Sequence, residues 1–245
     1  DGSVQLPELV RDVLLGAGWS REVPVAGGAA RERWESLAAL AALARVAAQH
    51  PLYMRNDDVE DVFTLATDLL TRSSETQALP HASAAVGSAW MLVGSLMALG
   101  PEFMRTHVST LLHAWRQALA ERSYTDLDEG AWKYLLTVRH GALSSMHAFF
   151  LHGGHTLLTH ETARRLVALQ SYALAFLEAW ERRAPGASHA PLLRARILRC
   201  CTHLAQAPAI ETLAPHLLSM CVEWLARAEH WWPGRSAAQA AIHAS

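Results

Sequence analysis

The sequence predicts an all-α fold, an α-α superhelix of about four stacked helical pairs, and three observations lead there. Apolar residues recur at three- and four-residue spacing through most of the chain, with no convincing period-two stretch. Three helix-sized segments close on one short phrase: Leu111-Leu112-His113-Ala114-Trp115, Phe176-Leu177-Glu178-Ala179-Trp180 and Met220-Cys221-Val222-Glu223-Trp224. Proline and glycine punctuate the intervals between periodic segments. A large apolar residue near the end of one helix of each pair is what a stack needs when neighbouring units bury each other.

In chain order, helices are expected at 4–16, 29–49, 57–72, 82–99, 102–121, 129–152, 160–182, 189–206 and 211–228, with loops at 17–28 and 73–81. Pro51 stops the second helix, and Asn56-Asp57-Asp58 supplies acceptors at the start of the third. The fourth is uncharged from Ala82 to Gly100, which is long enough to span a bilayer. It is diluted with alanine, glycine and serine, and its one aromatic, Trp90, lies mid-segment where an aromatic belt would not place it. We therefore read it as a central helix packed on both sides. Gly100-Pro101 separates the fourth from the fifth, and Thr125 with Asp128 has the form of a capping box before the sixth. Gly153-Gly154 ends the sixth, Pro185-Gly186 follows the seventh and Pro233-Gly234 follows the ninth.

With the first helix set aside as part of an incomplete unit, the rest pair as 29–72, 82–121, 129–182 and 189–228. The period, about forty to fifty residues, is that of HEAT or armadillo repeats and exceeds the roughly 34 of a tetratricopeptide unit. Residues 1–245 are thus expected to form one helical-repeat segment of a longer solenoid, an expectation that the start at Asp1 also suggests.

Hydrophobic residues make up 51% of the 245 against 18% charged, too apolar a balance for disorder. A net charge of -2 gives no electrostatic case for nucleic acid or an anionic membrane. The three cysteines, Cys200, Cys201 and Cys221, are odd in number with two adjacent, a poor disulfide framework that fits a reducing compartment. Neither end carries a secretory signal pattern, so a cytoplasmic protein is expected.

Candidate chemistry is sparse. Asp57-Asp58-Val59-Glu60-Asp61 fits the Asp-Asp-x-x-Asp string with which isoprenoid synthases hold magnesium, and carboxylates at i and i+4 share a helix face. The string also opens its helix, where carboxylates are favoured by the dipole and the unpaired amides alone, and no second acidic magnesium motif follows. Capping is the reading we adopt, with a magnesium enzyme using Asp57, Asp58 and Asp61 as the catalytic alternative. His147, His152, His155 and His160 cluster in sequence without the i, i+4 pairing of a metal site, and Cys200 and Cys201 point to different helix faces. No nucleophile elbow, Walker loop, dinucleotide fingerprint or zincin helix is present. We therefore expect no catalytic, cofactor or metal residue. Of the nine tryptophans, those within predicted helices are read as filling the gaps between repeats, whereas Trp231-Trp232 beside Pro233 is the candidate partner contact.

One family resemblance sharpens this. Ser88-Ala89-Trp90, Gly94-Ser95-Leu96-Met97-Ala98-Leu99-Gly100-Pro101, His107 and Leu111 to Trp115, then Arg139-His140-Gly141-Ala142-Leu143 and Phe149-Phe150, resemble the large HEAT-repeat accessory proteins of the clathrin adaptor. The likeness covers about residues 84–182. It implies a non-enzymatic scaffold that binds clathrin-adaptor-associated proteins, peripheral to the trans-Golgi network, endosomes and clathrin-coated vesicles. It transfers no catalytic residue and no site. A generic helical-repeat module of another complex shares the same periodicity, and self-association is compatible with either.

Overall fold

The computed structural model describes residues 56–72, 82–120, 124, 127–184, 189–207, 211 and 214–228. Seven α-helices lie among them: α1 (Asn56–Arg72), α2 (Ala82–Leu96), α3 (Pro101–Leu119), α4 (Glu129–Leu151), α5 (His160–Arg183), α6 (His189–Leu204) and α7 (Ala214–Ala228). Short 3-10 turns at Met97–Leu99 and Gly154–Leu157 complete α2 and link α4 to α5. No strand occurs among the described residues. The expected helices 4–16 and 29–49, the two expected loops and Trp231-Trp232 lie outside them.

The helix ends follow local chemistry. Gly100 takes φ 93° and hands the chain to Pro101, whose missing N–H costs nothing in the first turn of α3. Gly153, also at φ 93°, turns the chain after α4 in the left-handed conformation that a Cβ would disfavour. Asp128 is itself the N-cap of α4, its carboxylate accepting from the Ala131 N–H at 2.6 Å. This corrects the expected box, in which Asp128 was the third residue after the cap. Thr159 caps α5 by accepting from the Thr162 N–H, a signal the sequence reading did not use.

The register between helices defines the architecture. Gly87 of α2 faces Thr137 of α4, Trp90 faces Gly141 and Gly94 faces Ser145, at offsets of 50, 51 and 51 residues. A constant offset means that α2 and α4 run parallel, one repeat apart. On α4 and α6, Leu143 accepts from Cys200 and Phe150 stacks on His203, again rising together. Between α4 and α5 the order reverses, since Trp132 meets Phe176, Arg139 reaches Tyr172 and Met146 meets Gln170. Helices α2, α4 and α6 thus form one layer, and α1, α3 and α5 the other. Helix α7 touches α5 through Ser171 and Met220, with Leu217 buried. The repeated phrase ending in Trp115, Trp180 and Trp224 therefore falls on alternate helices, as a two-layer stack of helical pairs requires.

Side-chain size sets the spacing. Glycine, alanine and serine let α2 and α4 approach closely, whereas Arg139, Trp132 and Phe176 fill the space between α4 and α5. Across the layers the backbones come nearest at α1–α2, α3–α4 and α5–α6. One continuous apolar core runs from Val59 to Leu217. The uncharged helix α2 packs against both α1 and α4, burying Val86, Ala89, Trp90, Leu92, Val93 and Leu96. Among the described residues no helix is long and apolar enough to cross a membrane.

Candidate functional site

The close α2–α4 seam opens outward into a groove of about 420 Å³. Its walls follow from helical spacing: Gly87, Met91 and Gly94 lie on one stripe of α2 that Ala98 of the following 3-10 turn extends, and Gly141, Ser144 and Ala148 on one stripe of α4 that its C-cap His152 extends. Arg196 of α6 and His140 of α4 also line it. Trp90 is 2% exposed because Gly141 gives its indole room, and the Trp90 Nε1 has no hydrogen-bond partner. Among the described residues the lining includes a guanidinium and two imidazoles, and no carboxylate.

Beneath the groove, polar groups tie the layers together. The Trp115 Nε1–H of α3 donates to Ser145 Oγ at 2.8 Å, and that hydroxyl donates to the Ala142 carbonyl at 2.9 Å. Ser145 thus satisfies a buried indole and lies at the Gly94 contact. Arg139 is fully buried. Its Nη2 donates to the Ala120 carbonyl, the C-cap of α3, at 3.0 Å, and its guanidinium lies 4.5 Å from the Phe176 ring centroid and 5.4 Å from that of Tyr124. A cation at a helix C-terminus meets the negative end of the dipole, and the aromatic faces favour it further.

The histidines regroup in three dimensions. His147 meets α6, its Nδ1 3.3 Å from Arg196 Nη1 and its ring 5.6 Å from that of His203. In the neutral ring Nδ1 accepts from the guanidinium, which leaves the proton on Nε2. Burial, then the charges of Arg196, His203 and Arg199, hold His147 below the usual imidazole range; burial and then His155 do the same for His203. His203 is the partner that sequence proximity could not supply, because it lies one repeat away. His152 turns to the groove, and His160 is exposed at the start of α5.

Asp57 and Asp58 occupy the first turn of α1 and Asp61 is exposed. Glu60 of the same string makes a 3.1 Å contact with His107 of α3. Among the described residues no group of three His, Cys, Asp or Glu side chains could hold a metal ion. Cys200, Cys201 and Cys221 are free thiols, the first two buried. The groove itself escaped the sequence reading, although Gly87 and Gly94, seven residues apart on one helix face, were its available signal.

No protein-family model and no solved structure matches the chain.

Proposed function

We propose that this chain is a non-enzymatic HEAT-repeat scaffold that binds clathrin-adaptor-associated proteins during vesicle traffic between the trans-Golgi network and endosomes. The observation that carries the scaffold reading is the register of α2 on α4, a parallel pair displaced by one repeat within two helical layers. A stack of this kind offers a long surface and spreads its stabilising contacts over neighbouring units, which suits simultaneous protein contacts. The adaptor assignment rests on the resemblance over residues 84–182. Its residues hold the stack together: Trp90 lies against Gly141, Trp115 bonds Ser145, Gly100 turns the chain into α3, and Arg139 joins α3, α4 and α5.

The test is capture of purified clathrin-adaptor complex and its accessory subunits on the immobilised chain, with a Trp231→Ala/Trp232→Ala variant alongside. Saturable retention supports the reading, and its loss in the variant assigns the contact to that aromatic pair. Failure to retain any adaptor component overturns the trafficking assignment.

A further inference from the structure

We propose that His147 of α4 and Arg196 of α6 form a latch that mild acid releases, freeing α6 from the stack while the α2–α4 pair stays closed. This adds a conformational response to the scaffold and does not depend on the partner that the stack binds. A guanidinium carries only N–H donors, so its 3.3 Å contact with His147 Nδ1 requires a lone pair on that nitrogen. The protonated ring has an N–H on both nitrogens and nothing to accept with. Proton uptake therefore turns a hydrogen bond into two cations face to face.

The surroundings offer the imidazolium no compensation. From α6, Arg199 and His203 face His147 beside Arg196, with the two imidazole rings 5.6 Å apart, and His155 of the 3-10 turn after α4 faces His203. His140 and His152 of α4 line the groove together with Arg196. Helix α2 has no charged or titratable side chain. On α5, Glu181 is committed to Arg194, and on α3, His107 meets Glu60 and Glu102 meets Arg105. Burial and these cations hold both imidazoles below the ordinary range, so the latch is closed at pH 7.5. Its contribution is complete above the unfolded value of about 6.5 and is lost as pH falls through the folded values. The α2–α4 seam, by contrast, rests on Trp90 against Gly141 and Gly94 against Ser145, none of which titrates in this range.

The test is hydrogen exchange of the full chain at pH 7.5 and 5.5, read by mass spectrometry and corrected for the intrinsic effect of pH on amide exchange. Protection of the α6 peptide is expected to fall at least about fivefold between the two, and that of the α2 peptide to stay within about twofold. In His147→Gln the side-chain oxygen accepts from Arg196 and does not titrate, so α6 should keep most of its protection at pH 5.5. A histidine that merely packed would lower protection equally at both pH values when replaced. Unchanged α6 protection, an equal fall in His147→Gln, or loss of protection in α2 and α6 together overturns the latch. Should the variant fail to fold, nitrogen-15 labelling of the histidines in the parent chain decides. His147 is expected to be neutral at pH 7.5 with its proton on Nε2, and a proton on Nδ1 at that pH overturns the proposal. Adaptor capture at pH 7.5, where the latch is closed, tests the scaffold reading separately.

Discussion

The indole of Trp90 occupies the space that a side chain at position 141 would need: a Cβ on Gly141 would lie 2.6 Å from the Trp90 Cβ, Cγ and Cδ1. No real contact is that short, so the pair is a steric lock between helices one repeat apart. In an ordinary helix Gly→Ala stabilises by about 1 kcal/mol. Here we expect Gly141→Ala to destabilise by about 1–3 kcal/mol, because the clash is with the ring root and not a flexible tip. In a Trp90→Gly background, which removes the Cβ together with the ring, the same change should become neutral or stabilising. Urea denaturation of the four chains of this cycle measures the coupling, and additive effects would refute the lock.

Arg139 links three helices, and its replacement should be costly whichever apolar residue is chosen. Arg139→Met removes the donor to the Ala120 carbonyl and the contact with Phe176, with an expected loss of about 2–4 kcal/mol. Arg139→Lys should recover only part of it, because an ammonium cannot reproduce the planar fork that reaches Ala120 and Tyr172 together. Thermal melting of the two variants checks the order. A lysine variant as stable as the parent would show that charge alone suffices.

The α4–α6 junction should weaken in mild acid. His147 and His203 both have folded-state pKa values below the ordinary one, so the unfolded chain takes up protons first. Their stabilising contribution is complete above the unfolded value of about 6.5 and is lost as pH falls through the folded values. The melting temperature is expected to drop between pH 7.5 and 5.5, and a His147→Gln/His203→Gln chain should show a smaller drop. An identical pH dependence in that chain would assign the effect to other groups.

Two of the three thiols should report unfolding. Burial pushes the Cys200 thiol up to about 12 and raises Cys201 as well, so at pH 8 both stay protonated and unreactive. Iodoacetamide is expected to label Cys200 and Cys201 only as fast as the α4–α6 region opens, and the half-buried Cys221 sooner. Mass-spectrometric mapping of the alkylated cysteines over time gives the order, and early modification of Cys200 would contradict the packing of its Sγ on the Leu143 carbonyl.

Much of the architecture was legible because its signals are local. The period of apolar residues and the punctuation at Gly100-Pro101 and Gly153-Gly154 place every described helix end within three residues of expectation. The repeated Trp115, Trp180 and Trp224 phrase marks one helix of each successive pair. The groove was not legible, because it needs two glycine-bearing stripes from separate helices set in register. The surroundings of His147 were not legible for the same reason: His152 is its neighbour in sequence, whereas the fold brings it to His203 and Arg196.

The sequence by itself determined that this chain is helical, where its helices stop, and that they repeat at about forty to fifty residues, since each of these follows from backbone chemistry and side-chain period within a short window. Only the tertiary structure decided that Trp90 rests on Gly141, that Arg139 ends buried between aromatic rings, and that Arg196 shares a groove with α2. Those relationships depend on how far one helix slides along another, a quantity set by the fit of facing side chains and carried by no single segment.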